Sequence, residues 1–202
     1  MSNFEIIQNE NESVERVGRG SDTLQREIVF HAIHKTLEKQ ITIDELKNFK
    51  TKNGNTQKSE RDYINIIREI LNDMGLTFTE AATQQSKDFR IKINKNLILH
   101  MECKKTDKFK ICFNDTCPNK DIFYIIIFTG KEYKRNKSIK PQIIGINGNY
   151  FIEESQWIEE YRKKIEYLRD YYGRGENAKN LSGPLSVFPR GNYFGKIREL
   201  LK

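Results

Sequence analysis

Asp88-Phe-Arg-Ile-Lys-Ile-Asn-Lys-Asn-Leu-Ile-Leu-His-Met-Glu-Cys-Lys104 reads as two short strands joined by a tight turn. In the first strand Phe89, Ile91 and Ile93 alternate with Asp88, Arg90 and Lys92; in the second Leu97, Leu99, Met101 and Cys103 alternate with Ile98, His100, Glu102 and Lys104. Alternation of this kind is the mark of a strand with one face buried. A turn at Asn94-Lys95-Asn96 sets Ile93 opposite Leu97, Ile91 opposite Leu99 and Phe89 opposite Met101. Every apolar residue then meets an apolar one, so the register agrees with burial. The same register sets Asp88 opposite Glu102, with Cβ atoms roughly 4.5–5.5 Å apart. Lys104 shares the face of Glu102, about 7 Å farther along the strand.

Outward from this hairpin the chain alternates helix and strand. Leu24, Ile28, Ile33 and Leu37 predict a helix over 22–40, and a shorter one is expected over 42–49. Lys50 to Lys58 has no apolar residue and reads as a linker. A strong helix follows from about Ser59, a suitable N-cap, to Met74, with Gly75 as its stop. Strands are expected at 110–113, at the continuous apolar run Ile122 to Phe128, and at Pro141 to Ile146. Residues 155–172 turn helical, and the tail from Gly173 is rich in Gly and Pro before a short helical piece. The expected architecture is α/β: a mixed sheet of four or five strands flanked by helices. Residues 1–52 would form a helical N-terminal region, 53–150 the core, and 151–202 a C-terminal helical region and tail, all within one compact domain.

Charge narrows the partners. Lys and Arg exceed Asp and Glu by 35 to 28, a formal net charge of +7, which favours a polyanion such as nucleic acid. No stretch approaches the ~20 apolar residues of a membrane helix. Met1-Ser-Asn-Phe-Glu5 is polar and acidic, unlike a secretory signal, and Cys103, Cys112 and Cys117 form neither an even set nor a Cys-x-x-Cys pair. The expectation is a reduced, cytoplasmic protein without membrane contact.

Two carboxylates set face to face repel each other unless something positive lies between them. Lys104 is near, and a hard divalent cation suits carboxylate oxygens better. At 100° per residue Glu60 falls within the apolar face of its helix, set by Tyr63, Ile64, Ile67 and Leu71, while Glu69 falls on the far side. Glu60 is therefore the expected third carboxylate. Asp88, Glu102 and Glu60 would hold Mg²⁺, with Mn²⁺ as a substitute, and Lys104 would orient water or stabilise charge on a phosphate. The competing reading is an ordinary cross-strand salt-bridge cluster on a solvated face. His31 and His34 sit one turn apart without a second ligand pair, and read as surface or core residues.

Asp88 followed by Glu102-Cys-Lys104 at a strand end resembles the active-site pattern of the PD-(D/E)XK nuclease superfamily, although Lys87 stands where a proline usually precedes the acid. Gln85 to Arg90, Glu102 to Asp107, Phe113 to Pro118 and Tyr124 to Phe128 together resemble one group of type II restriction endonucleases. The resemblance implies a restriction-endonuclease-like core and a Mg²⁺-dependent enzyme that cuts double-stranded DNA at a short site as a homodimer. A structure-selective nuclease of the same fold and a non-catalytic DNA-binding protein are the alternatives. Expected DNA contacts are Lys87, Arg90, Lys105, Asn114, Asp115, Lys131, Lys134 and Arg135, the last three within a basic loop.

Overall fold

The computed structural model describes residues 20–50, 56–80, 88–113, 118–130, 139–151, 156–174, 191–194 and 197–201. Helices α1 (Gly20–Gln40), α2 (Ile43–Asn48) and α3 (Thr56–Asp73) precede three strands, β1 (Thr77–Glu80), β2 (Phe89–Lys92) and β3 (Ile98–Thr106). Then come β4 (Lys110–Phe113), β5 (Phe123–Phe128), β6 (Gln142–Asn147), α4 (Gln156–Leu168), β7 (Gly191–Phe194) and α5 (Ile197–Leu200). A single 3-10 turn, Gly148–Tyr150, follows β6, and a π-helical turn, Arg169–Arg174, continues α4. Among the described residues no helix is long and apolar enough to cross a membrane.

The fold is mixed α/β. Five strands form one sheet in the order β1-β2-β3-β5-β6. β1, β2 and β3 make an antiparallel meander, β5 runs parallel to β3, and β6 returns antiparallel to β5. The hairpin register is the expected one: Phe89 faces Met101 and Ile91 faces Leu99. Its turn closes through the Ile93 and Asn94 amides, which donate to the Leu97 carbonyl at 2.9 and 3.3 Å. The Asn96 amide donates to Asn94 Oδ1 at 2.9 Å, so an Asn side chain supplies part of the turn.

Each side of the sheet closes on its own apolar layer. On the helix side, Ile33 and Leu37 of α1 and Tyr63, Ile67 and Leu71 of α3 pack with Phe89, Ile91, Leu99, Met101, Cys103 and Ile125. On the other side, Tyr124 and Ile126 of β5 and Ile144 and Ile146 of β6 pack with Ile111, Phe113 and Phe151. Capping sets where the helices begin and end. Thr42 and Glu45 form a reciprocal capping box at α2. At the end of α3 Leu76 N–H donates to Leu71 O and Gly75 N–H to Asn72 O, with Gly75 at φ +70°, a Schellman ending that only a left-handed residue permits.

Four expectations are corrected. α3 begins at Thr56, so Ser59 lies inside the helix and is not its N-cap, and the linker shortens accordingly. Leu24 and Ile28 are exposed, at 53% and 38%, because at 100° per residue they fall opposite Ile33; Val29 and Phe30 take their place in the core. β1 was not foreseen, since Thr77-Phe-Thr-Glu80 carries a single apolar residue on an edge strand. β4 does not join the main sheet: it pairs with β7, a strand in the Gly- and Pro-rich tail where none was expected.

Candidate active site

β3 lies between β2 and β5, and Glu102 sits at its middle, 4% exposed and in register with Tyr124. Lys104, in register with Ile126, shares that face. Glu102 Oε1 and Lys104 Nζ form an ion pair whose side chains are 5% and 18% exposed. Taking a carboxylate out of water is costly unless it is paired, so the lysine accounts for the burial of the acid. Lys104 Nζ also lies 5.9 Å from the centroid of the Phe113 ring, within cation–π range.

Asp88 is half-buried and sits one residue ahead of β2, where the ladder to β3 ends. Its Oδ2 accepts a hydrogen bond from the Cys103 amide at 2.6 Å. The carboxylate therefore occupies the place a strand carbonyl would take, and ties the end of β2 to the residue between Glu102 and Lys104. A carboxylate has about four lone-pair sites, so this bond leaves room for a further partner. Burial pushes the Cys103 thiol well above its ordinary range, and the nearby charges of Asp88 and Glu102 push it the same way, against Lys104. That thiol is held neutral and is not a nucleophile. Both acids thus act on one buried residue.

Glu102 and Lys104 pair on one face of β3, and Asp88 is bonded to the Cys103 amide between them; the β2–β3 ladder ends at Phe89 and Met101, short of Asp88 and Glu102. Glu60 falls in the first turns of α3, and its side chain lies outside the described residues. Among the described residues no group of three or more His, Cys, Asp or Glu side chains is placed to hold a metal. Two carboxylates are what a Mg²⁺ ion that keeps several waters requires, so the donor chemistry fits that ion.

Of the expected DNA contacts, Arg90 is half-buried on β2 opposite His100. Lys105 falls on the opposite face from Lys104, with Nζ 3.6 Å from Asp107 Oδ1. Asp107 Oδ1 also accepts from the Thr129 hydroxyl at 2.6 Å, so the ends of the parallel strands β3 and β5 are joined by a small polar cluster. Lys87, Asn114, Asp115, Lys131, Lys134 and Arg135 lie outside the described residues. Phe113, the residue before Asn114, lies against Lys104. The histidines divide: His31 is exposed, and His34 Nε2 lies 3.2 Å from the Ile143 carbonyl oxygen.

Sequence reasoning missed Phe113. Its signal was present in the alternation Lys110-Ile-Cys-Phe113, but the partner strand was not recognised, so the direction of the ring could not be read. Comparison with known protein families, with curated proteins and with solved structures finds no match.

Proposed function

We propose that this chain is a Mg²⁺-dependent endonuclease of the PD-(D/E)XK superfamily that hydrolyses phosphodiester bonds of double-stranded DNA at a short specific sequence. One observation carries the reading. A buried glutamate and a lysine two residues on share a face of β3, and Asp88 from the neighbouring strand is bonded to the amide between them. Asp88 and Glu102 are the metal ligands, and Mn²⁺ is a workable substitute. An ion held there by Asp88 and Glu102 would supply polarisation of the scissile phosphate and activation of water. Lys104, held beside Glu102, stabilises the charge that develops on the phosphate oxygens. The apolar layer of Tyr124, Ile126 and Phe113 beneath it keeps water from that side and strengthens each of these interactions.

Glu60, on the apolar side of its helix by sequence, is carried as a further carboxylate; α3 lies against the sheet face opposite Glu102 and Lys104, so Asp88 and Glu102 alone carry the reading. Two copies reading a palindrome would form a homodimer, and the basic loop with Lys131, Lys134 and Arg135 would contact phosphates.

Digestion of a sequenced plasmid with Mg²⁺, and with EDTA, tests the reading. Discrete fragments with Mg²⁺ alone are expected. Glu102→Ala is expected to bind the same DNA and not cut it. Cleavage of branched duplexes only would replace sequence specificity by structure selectivity, and no cutting in any divalent ion removes the enzyme.

A further inference from the structure

The layer under Glu102 and Lys104 is closed by a ribbon drawn from two distant parts of the chain. β4 follows β3 through a turn pinned by Thr106, whose hydroxyl lies 2.8 Å from the Lys108 carbonyl oxygen and 2.6 Å from that of Lys110, and accepts from the Lys108 amide at 3.1 Å. All four residues of β4 pair with β7, Lys110 with Phe194 through to Phe113 with Gly191. Leu200 and Leu201, farther along the chain, pack against the same apolar layer. The Phe113 ring is 0% exposed and meets two others edge-on, Tyr124 at 5.5 Å and 86° and Phe151 at 5.3 Å and 78°. Its plane is thereby fixed from two directions, and Lys104 Nζ stands over it.

We infer that Phe113 is a positioning residue for Lys104, and that strand 191–194 completes the site by holding β4 under it. A lysine has a long, flexible stem, and an ammonium paired with one carboxylate can still swing about that partner. The negative face of a fixed ring adds a second point of attraction, within the ~6 Å over which it acts. Between ring and carboxylate the ammonium is confined to one place, next to the acid that would hold the metal. An aliphatic floor of the same volume would exclude water equally well and would lack that attraction. This inference rests on the reading of Lys104 as the group that stabilises charge on the phosphate.

The test replaces Phe113 in the full-length protein by mono-, di- and trifluorinated phenylalanine, which keep the ring's shape and progressively weaken its negative face. The expected result is a stepwise fall in kcat, reaching about tenfold, with KM within about twofold of the parent. Phe113→Leu should show the same split while its thermal unfolding stays cooperative. In metal-free protein without DNA, the Lys104 ε-methylene protons are expected to resonate upfield from the ring current. That displacement should vanish in Phe113→Leu, and in Tyr193→Pro, which breaks the β4–β7 ladder. A kcat flat across the fluorinated series overturns the positioning role. Unshifted Lys104 resonances in the parent overturn the contact itself, and a Tyr193→Pro protein that keeps both kcat and the shift overturns the part assigned to 191–194. A parent that cuts no DNA sinks the nuclease reading, and with it the catalytic half of this inference, while the resonance measurement still decides the contact.

Discussion

The two sides of the sheet are closed by different means. Helices α1, α2 and α3 cover one side, over the larger apolar layer, and Lys105, paired with Asp107, falls on that side too. A two-stranded ribbon covers the other, over a smaller layer, and that side takes in Glu102 and Lys104. Helices bring continuous apolar faces and satisfy their own backbone groups. A two-stranded ribbon brings only alternate side chains and leaves two edges. The larger apolar layer therefore lies on the helix side, and the Glu102–Lys104 pair on the ribbon side.

This division can be broken by mutation, and the largest effect belongs to the helix side. Leu71→Ala, at a position 0% exposed, should cost about 2–5 kcal/mol in denaturant unfolding. Ile144→Ala on the ribbon side, at a position 6% exposed, should fall at the low end of that range, about 2 kcal/mol. If the two were equal, the contrast would be lost.

Next comes the pair itself. Lys104→Met in metal-free protein leaves Glu102 buried and uncompensated, and should destabilise by about 3 kcal/mol, the low end for breaking a buried pair because Lys104 keeps some contact with solvent. Glu102→Gln with Lys104→Met should recover most of that loss, measured as a double-mutant cycle. Mg²⁺ at a hundred times its dissociation constant should stabilise the parent by about 2.7 kcal/mol and leave Glu102→Gln unmoved. A smaller effect tests the helix caps. Thr42→Ala removes one half of the capping box and should cost about 1 kcal/mol.

That cap also carries a pH dependence. The Thr42 amide and hydroxyl hold the Glu45 carboxyl below its ordinary value of 4.5. The Arg68 guanidinium does the same for Glu80, at the edge of the sheet. In both the folded pKa is depressed, so their stabilisation is complete above about 4.5. It is lost as pH falls through the lowered folded value. Unfolding titrations of Thr42→Ala should lose part of this acid sensitivity. The smallest effect is expected of Ile98→Ala, 43% exposed beyond the cover of the ribbon, within about 0.5 kcal/mol of the parent.

The parts of the molecule that follow from short-range pattern were legible in the chain. The β2–β3 register came from alternation alone, because a slip of one residue would have turned Phe89, Ile91, Leu99 and Met101 to the wrong face. The burial of Ile122 to Phe128 came from an unbroken apolar run. The shared face of Glu102 and Lys104 followed from the same alternation. What was hidden depends on distant partners. β1 has almost no apolar signal because it is an edge. β7 has none that distinguishes it from a turn-rich tail, and with β7 unseen the place of Phe113 was unseen too. The amide bond that fixes Asp88 to Cys103 was illegible for another reason: it arises where the ladder stops, and periodicity does not say where that is.

The pairing of β4 with β7 has a consequence for the order of assembly. Lys110 meets Phe194 across roughly eighty residues of chain, whereas β2 meets β3 across a short turn. Closing so long a loop is entropically late, and during synthesis it cannot occur before Phe194 has emerged from the ribosome. The sheet and its helices can be in place well before that moment. A nascent chain would hold Glu102 and Lys104 before the ribbon beside them has paired.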